Sequence, residues 1–155
     1  MRGEFRFANG RILPNTVTIA GQQQYLQMLF QNILVTQFFM GLTDSIPTMM
    51  SDLSTINEPT IGINGYARIN VPRSIVGWPN EGSSAGIPFI ETTDLVFTPV
   101  IGPFDQPVSR IFLTPEQTLT VGIIWAIGAA IPTPIVLDPT TTLVDRTFRY
   151  RVYMV

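Results

Sequence analysis

The acidic side chains are the first residues to examine for chemistry, because two carboxylates are sufficient for glycoside hydrolysis. Glu91 and Asp94 lie close together in the sequence, and Asp44 and Asp52 lie in one loop-like segment. No pattern fixes the separation of either pair or predicts a substrate cleft beside it. Asp44, Asp52 and Glu58 also lack the Asp-x-Asp-x-Asp-Gly order of a calcium loop. We therefore interpret these residues as ordinary solvated or turn-capping carboxylates.

One serine motif has the form of a hydrolase signature. The segment 82–86 reads Gly-Ser-Ser-Ala-Gly and matches G-x-S-x-G, the nucleophile elbow of α/β-hydrolases. That elbow needs a strand, a sharp turn, a helix and a histidine partner, whereas this chain has no histidine and the segment is rich in turn residues. We interpret the match as a flexible loop tip.

The composition lacks most of the usual catalytic and ligand side chains. The chain has no cysteine and no histidine, and all nine basic residues are arginine. Disulfides, thiolate metal sites, histidine bases and the lysine of a phosphate loop or a Schiff base are thereby excluded. The sequence therefore predicts a non-enzymatic protein without a metal or another cofactor.

Arginine forms the one basic cluster, which consists of Arg146, Arg149 and Arg151. Arg149 and Arg151 fall on the same face of a predicted strand, with Tyr153 next along it. Their guanidinium groups can bind phosphate or carboxylate, and outward charges also discourage pairing at a sheet edge. Because the net charge is −2, we favour a carboxylate of a partner protein over nucleic acid.

The first secondary-structure elements predicted along the chain are a hairpin and a helix. Asn9-Gly10 between Phe5–Phe7 and Arg11–Leu13 predicts a tight hairpin, and residues 21–34 form the one predicted helix. The apolar face of that helix contains Tyr25, Leu26, Leu29, Phe30, Ile33 and Leu34. Packing against a sheet is the favoured role of this face, and binding a partner is the alternative.

Short strands at sandwich-like spacing follow the helix. They are predicted at 37–42, 66–75, 94–98, 108–113, 121–127, 135–137 and 142–154. The segment 43–65 reads as a long loop, which usually serves function or contact, and 78–88 reads as turn-rich. The predicted fold class is mainly β: a jelly-roll-like antiparallel β-sandwich with one N-terminal amphipathic helix and an N-terminal hairpin or arm. The predicted domains are this hairpin or arm at 1–20 and one sandwich domain at 21–155.

The chain carries unusually little charge for a surface in water. Charged residues make up 13% of it and the mean hydropathy is +0.28, whereas soluble domains carry about a quarter charged residues. Permanent interfaces resemble a core cut in half, so we favour an obligate assembly; a surface of small polar residues is the alternative. The start of the chain has no signal-peptide pattern, and the apolar segment 121–131 is too short to span a membrane.

The order of short motifs adds a resemblance. The motifs are Phe5-Arg6-Phe7, Asn9-Gly10-Arg11, Phe39-Met-Gly-Leu42, Gly65-Tyr66-Ala67-Arg68, Val96-Phe97-Thr98-Pro99, Ile111-Phe112-Leu113 and a terminal aromatic-arginine strand. In this order the chain resembles small structural proteins of tailed bacteriophages, among them capsid decoration (cement), tail-fibre-like and minor virion proteins. The motif at 65–68 is the most specific of them. The resemblance implies a β-sandwich virion component in symmetric copies, and it supplies no catalytic residues.

These observations lead to the hypothesis of a capsid decoration protein on the outer surface of the virion. Its expected partners are the major capsid protein or other virion proteins and further copies of itself as a homotrimer, with neither nucleic acid nor membrane. A tail, baseplate or fibre component is the alternative, and a carbohydrate-binding receptor module using Trp78, Tyr66 and Trp125 is the third. The candidate interface residues are Phe5, Phe7, Arg11, Tyr25, Leu29, Pro47, Met49, Met50, Tyr66, Arg68, Trp78, Arg149 and Arg151.

Overall fold

The computed structural model describes residues 2–8, 10–46, 48–131 and 133–153. In these residues it has ten strands and one helix, α1, at Ile19–Phe30. The strands are β1 (Arg2–Phe7), β2 (Ile12–Val17), β3 (Gln37–Thr43), β4 (Ile69–Pro72), β5 (Asn80–Ser84), β6 (Ile87–Glu91), β7 (Leu95–Val96), β8 (Arg110–Thr114), β9 (Ala126–Gly128) and β10 (Thr147–Tyr153). Short 3-10 turns lie at Ile63–Gly65 and Val144–Arg146. The prediction of a mainly β chain is confirmed.

The strands form one curled, half-barrel sheet in which every pairing is antiparallel. The strand order is β4-β3-β8-β9-β2-β1-β10-β6-β5, and β7 pairs with β10 beside this path. Because the sheet curls, strands far apart in this order contribute to the same core. Trp78 shows this directly, since its ring lies 6.4 Å from Phe38 of β3 and 6.2 Å from Tyr150 of β10.

The predicted N-terminal hairpin is present as β1 and β2. Phe5 pairs with Leu13, and Arg6 pairs with Ile12; Asn9 of the predicted turn lies outside the described residues. Each strand has a second neighbour, β10 beside β1 and β9 beside β2. The hairpin is therefore built into the middle of the sheet, and the division of the chain into 1–20 and 21–155 stays a prediction.

The helix begins earlier and ends earlier than the predicted 21–34. Thr18 is its N-cap, because the Thr18 Oγ1 accepts a hydrogen bond from the Gly21 N–H at 3.0 Å. It ends at Phe30, and Asn32 adopts the left-handed conformation with φ 55°. Among the described residues, no helix is long and apolar enough to cross a membrane.

Most of the predicted apolar face of α1 is turned away from the core, contrary to the expectation that it packs on the sheet; Tyr25 is its one helical member that packs against the core. Gly21 is buried, and a Cβ built on it would lie 2.4 Å from the Trp125 carbonyl oxygen. This close approach sets the rotation of the helix, so that Tyr25 and Met28 face the core. Leu29 and Phe30 consequently point outward with 56% and 80% exposure.

Several predicted strands are shorter than expected, and one hairpin was missed. The predicted strand at 66–75 contains only β4, and the one at 121–127 contains only the first residues of β9. The turn-rich segment at 78–88 is in fact the hairpin of β5 and β6, closed by Ala85 and Gly86 at φ 51° and 79°. All five residues of β5 are exposed, so no buried alternation marked it in the sequence. Alternation along the predicted strand at 94–98 places Leu95 and Phe97 on its inner face, and both side chains are buried.

Candidate functional site

The structure divides the predicted interface residues between the interior and the surface. Phe5, Phe7, Tyr66 and Arg68 are buried, so these four are not surface residues of this fold. Phe5 and Phe7 take the inward positions of β1, where they pack on Tyr150 and Phe148. The exposed candidates are Leu29, Met49 and Met50, the half-buried ones are Arg11, Tyr25, Trp78, Arg149 and Arg151, and Pro47 lies outside the described residues.

Tyr66 and Arg68, the centre of the most specific motif, share the carboxylate of Glu58, whose side chain is 12% exposed. The Tyr66 hydroxyl donates to Glu58 Oε1 at 2.7 Å. Arg68 donates to the same carboxylate through Nε at 2.9 Å and through Nη2 at 2.6 Å, as a bidentate pair. Burial, and next the charge of Glu58, raise the pKa of the Tyr66 hydroxyl well above its usual range. Tyr66 is therefore a neutral donor and is not available for stacking on a sugar.

The same cluster attaches the long loop to the sheet. The Leu42 N–H donates to the Tyr66 hydroxyl at 2.9 Å, and Arg68 Nη1 donates to the Glu116 carbonyl at 2.8 Å. The Arg68 guanidinium also lies 5.5 Å from the centre of the Phe112 ring. The motif at 65–68 thus holds the loop in place, and its side chains do not form a contact surface.

Arg149 and Arg151 of the predicted arginine cluster lie with the predicted carboxylate pair on the outer face of the sheet, whereas Arg146 lies in the 3-10 turn before β10. Glu91 is buried and binds Arg151 Nε at 2.8 Å, with Arg149 at 3.6 Å and Arg6 at 3.7 Å. Arg149 also binds Asp94 at 2.5 Å, and this hydrogen bond lowers the pKa of the Asp94 carboxyl. Arg149 and Arg151 therefore bind carboxylates of this chain itself. The sequence had favoured a carboxylate of a partner protein as their ligand.

Strand register explains why these charges meet. Glu4, Arg151 and Glu91 form one row across β1, β10 and β6, so unlike charges alternate between neighbouring strands. Arg6 pairs directly with Arg149, and Glu91 lies within ion-pair distance of both. The cluster resembles a structural ion network, in which each carboxylate is already bound by arginine.

The other sequence motifs take structural positions as well. Asp52 accepts from the Ser54 N–H at 2.8 Å and from the Ser54 hydroxyl at 2.6 Å, and the hydroxyl bond lowers the pKa of the Asp52 carboxyl. This is the turn-capping role expected for it. The G-x-S-x-G segment at 82–86 lies in β5 and the turn to β6, so it is followed by a strand where a nucleophile elbow requires a helix. The described residues contain no group of three metal-binding side chains.

A pocket of about 520 Å³ lies where α1, the β5–β6 hairpin and both halves of the sheet meet. It is lined by Tyr25, Met28, Phe38, Arg73, Ser74, Ile75, Trp78, Glu81, Ile90, Trp125 and Val152, and we call it the aromatic pocket. Its volume falls within the range of about 300–1,000 Å³ that is typical of ligand sites. Both tryptophans of the chain line it.

The wall of the aromatic pocket contains an unsatisfied donor. Trp125 is 4% exposed, and its ring lies 5.0 Å from Phe38 and 6.4 Å from Tyr25. Its Nε1 has no hydrogen-bond acceptor among the described residues. A buried donor without an acceptor costs about 1–3 kcal/mol. The Nε1 atom has essentially no exposed surface, so this donor is enclosed by the protein and is not presented to the pocket.

A second surface lies along α1. Large apolar side chains are exposed on it and on the adjoining loop, and we call this surface the helix patch. It comprises Ile19, Leu26, Leu29, Phe30, Met49 and Met50, which are 40–80% exposed. The Ile19 N–H donates to the Met49 carbonyl at 2.9 Å, which places the loop beside the start of the helix. No charged residue occurs between Ile19 and Leu34.

No protein-family model, curated protein or solved structure matches this chain.

The residue types of the helix patch and of the aromatic pocket could be predicted in part from the sequence. The apolar residues of the helix patch were recognisable, but their outward direction depends on the contact between Gly21 and Trp125. Trp78 and Trp125 were recognisable as aromatic binding residues. Their convergence was not, because the residues of the aromatic pocket come from segments as distant as Tyr25 and Val152.

Proposed function

We propose that this chain is a non-enzymatic structural protein of a bacteriophage virion, and that it decorates and stabilises the capsid. The observation that carries this proposal is the helix patch. Contiguous exposed apolar surface on a folded chain marks a contact with another macromolecule, because its burial is favourable. The phage context comes from the resemblance in the order of motifs.

The chemistry of the helix patch supports assembly into symmetric copies. An interface core is depleted in charged residues, and the segment from Ile19 to Leu34 contains none. Identical copies can therefore approach through this surface without like charges opposing one another. A stable interface buries about 800 Å² on each partner, and the helix patch would form the apolar centre of such a surface. We propose a homotrimer that bridges capsomers on the outer face of the capsid.

The fold supports a finer architectural proposal. Trp78 contacts Phe38 of β3 and Tyr150 of β10, so the two arms of the curled sheet enclose one shared core. We propose that these arms act as the two layers of a jelly-roll-like β-sandwich. An experimental structure in which the arms diverge without a shared core would contradict this architecture.

The decoration role is tested on particles. Capsids that lack this protein are expected to assemble but to rupture at a lower temperature and under milder osmotic shock. A Leu26→Glu/Leu29→Glu variant should fail to restore the robustness, whereas Ile101→Glu, at an even more exposed apolar position outside the patch, should restore it. Particles of equal robustness with and without the protein would rule out the cement role.

A tail, baseplate or fibre component is the alternative position within the same class. The resemblance includes tail-fibre-like proteins, and the helix patch would serve assembly there as well. Antibody labelling of separated heads and tails distinguishes the two positions. Label confined to tails would move the protein from the capsid to the tail.

A carbohydrate-binding module is the second candidate function, and the aromatic pocket favours it. Trp78 is half-buried and offers a ring face, whereas Trp125 is buried in the core like Tyr66. Arg73 and Glu81 at the same pocket offer polar groups for hydroxyls. A glycan array tests this function, with Trp78→Ala as the variant expected to lose any signal. An array without binding would remove this candidate.

A further inference from the structure

The two ends of the strand order differ in how well they are protected. β4 and β5 occupy these ends, so each has one edge without a neighbouring strand. Such an edge presents unpaired N–H and C=O groups, on which a further strand can pair. All five residues of β5 are exposed, and its sequence, Asn-Glu-Gly-Ser-Ser, contains one charged residue and no proline. The edge of β5 is therefore open to another strand whose backbone groups match its own.

The turn after β5 fixes the hydrogen-bonding pattern of its hairpin. Ala85 and Gly86 have φ values of 51° and 79°, and positive values at both positions are typical of the two-residue type I′ turn. The residues that flank such a turn, here Ser84 and Ile87, form a hydrogen-bonded pair across the hairpin. From Ser84 onward, the residues of β5 therefore alternate between hydrogen-bonded and non-hydrogen-bonded pairs with β6.

This alternation directs the backbone groups of two residues to the open edge. Ser83 and Glu81 take the non-hydrogen-bonded positions, so their N–H and C=O groups point away from β6. Pro88, which has no N–H to donate, stands opposite Ser83, in agreement with this pattern. Among the described residues, none donates to or accepts from these four backbone groups. The open edge thus carries two donors and two acceptors.

The edge of β4, by contrast, is largely closed. The Arg73 N–H donates to the Thr36 carbonyl at 3.3 Å and continues the ladder between β3 and β4, so the backbone groups of Pro72 and Asn70 point outward. Proline has no N–H, and the Pro72 carbonyl already accepts from the Ser74 N–H at 2.9 Å. Only Asn70 keeps an unpaired donor and acceptor on this edge, which is too little for a ladder.

We infer that β5 pairs with β5 of a second copy of this chain, antiparallel and about a two-fold axis at Gly82. In this register Glu81 of each copy stands opposite Ser83 of the other, and each of these two pairs exchanges two backbone hydrogen bonds. All four outward backbone groups of each copy are thereby satisfied. The contact is isologous, because the same strand contributes to it from both copies.

Charge and size favour this register over its neighbours. Glu81 is the one charged residue of β5, and here it faces an uncharged serine, while the two Glu81 side chains lie diagonally at about 7–8 Å. A shift by two residues would set Glu81 directly against Glu81, which is unfavourable. Gly82 faces Gly82 as a non-hydrogen-bonded pair, in which the two Cα atoms approach to about 4.5 Å, and no side chain obstructs that approach.

This contact goes beyond the proposed homotrimer, because it uses no residue of the helix patch. Each copy in a trimer presents one β5 edge, so pairing of these edges joins neighbouring trimers. The two contacts are made by different surfaces, and either of them can fail while the other persists.

Sedimentation equilibrium tests the pairing in the full chain that carries Leu26→Glu/Leu29→Glu, which charges the helix patch and leaves β5 unchanged. We expect this chain to form a dimer. Adding Ser83→Pro should weaken the dimer by about 10-fold or more, because it removes a donor and places a ring at the open edge. It breaks no bond to β6, since the Ser83 N–H points away from that strand. Asn70→Pro, at the exposed outward position of β4, is the matched control and should leave the dimer unchanged.

Charge substitutions test the register itself. Ser83→Glu should weaken the dimer by about fivefold or more, because the two-fold axis sets the new carboxylate against Glu81 at two places. The double variant Glu81→Lys/Ser83→Glu should restore the dimer, since each of these two positions then pairs unlike charges. A variant that is merely misfolded would not be rescued by a second substitution.

Disulfide formation gives an independent readout, because the chain has no cysteine of its own. Gly82→Cys should form a covalent dimer under mild oxidation, since a Cα separation of about 4.5 Å suits a disulfide. A Cβ at this position lies 3.0 Å from the far end of the Phe89 ring, which can shift. Ser84→Cys is the control, because the two copies of this position lie about 13 Å apart along the paired strands and cannot be bridged.

Several outcomes would overturn the inference. A Leu26→Glu/Leu29→Glu chain that is monomeric while the wild type associates would assign the association to the helix patch, and the proposed assembly would stand without β5. Equal dimers with and without Ser83→Pro would exclude this edge, and a dimer that Ser83→Glu does not weaken would exclude this register. A monomeric wild type would leave the edge of β5 to an extended segment of another protein, while the particle experiment would still decide the virion role.

Discussion

At the scale of single residues, the Glu58–Arg68 pair has the clearest structural role. The Arg68 side chain has no exposed surface and that of Glu58 is 12% exposed, and their bidentate contact is joined by the Tyr66 hydroxyl. A pair removed from water is held by geometry and by its additional hydrogen bonds, because desolvation offsets much of the Coulomb attraction. Its main effect here is to fix the loop that follows β3.

Replacing one partner of this pair is expected to destabilise the protein more than replacing both. Arg68→Met should lower the free energy of unfolding by about 3 kcal/mol, because the Glu58 carboxylate, which is only 12% exposed, is left without its cation. The double variant Glu58→Gln/Arg68→Met should recover part of this loss. Urea denaturation measures both, and Arg149→Met is the control. Its pair with Asp94 is 42% and 49% exposed, and Glu91, its second partner, keeps Arg151 and Arg6, so the loss should be about 1 kcal/mol or less. Equal losses for Arg68→Met and Arg149→Met would contradict the anchoring role.

At the scale of elements, α1 is oriented by one glycine. Gly21 lets the helix backbone approach Trp125 so closely that a Cβ would lie 2.4 Å from the Trp125 carbonyl oxygen. The rotation set by this contact buries one side of the helix and exposes Leu26, Leu29 and Phe30. A single backbone contact therefore determines both a wall of the aromatic pocket and the direction of the helix patch.

We expect Gly21→Ala to destabilise the protein although alanine is the better helix former. Overpacking against rigid backbone typically costs about 1–3 kcal/mol, which exceeds the gain in helix propensity of about 1 kcal/mol. Thermal unfolding followed by circular dichroism measures the net effect, with the exposed Gln23→Ala as the matched control that should be neutral or slightly stabilising. A more stable Gly21→Ala variant would show that the helix does not approach Trp125 in this way.

At the scale of the whole molecule, the absence of lysine, cysteine and histidine simplifies the response to pH. Between about pH 9 and 11 the tyrosines are the only side chains expected to titrate. Burial raises the pKa of Tyr66 and of Tyr150 above the ordinary value of 10.0. In the unfolded chain both hydroxyls ionise near that value, while in the folded chain they remain protonated.

The folded state therefore binds more protons than the unfolded state above about pH 10, and its stability should fall there. Stability from a raised pKa is complete below the unfolded value and declines as the pH rises through the folded value. Each tyrosine contributes a slope of up to about 1.4 kcal/mol per pH unit. Urea titrations at several pH values measure it, and Tyr150→Phe should reduce the slope. A slope that Tyr150→Phe and Tyr66→Phe leave unchanged would show that neither hydroxyl is responsible.

The sequence by itself determined the local features of this protein. The β character, the N-terminal hairpin, the strand at 37–42 and the inward positions of Leu95 and Phe97 follow from alternation and turn chemistry, which act between close neighbours in the chain. The composition by itself excludes catalysis or metal binding by histidine and cysteine. It also shows the low content of charged residues from which we predict an assembly.

Only the tertiary structure decided which side chains are available. Tyr66 and Arg68 alternate with apolar residues in the sequence, as surface residues of a strand do. In the structure both are buried and donate hydrogen bonds to the carboxylate of Glu58. The helix reads as packed on a sheet, yet the contact of Gly21 with Trp125 leaves most of its apolar face exposed, with Tyr25 packed against the core. The aromatic pocket exists because the curl of the sheet brings Trp78 and Trp125 together. These outcomes depend on contacts between distant parts of the chain, and local periodicity contains no information about them.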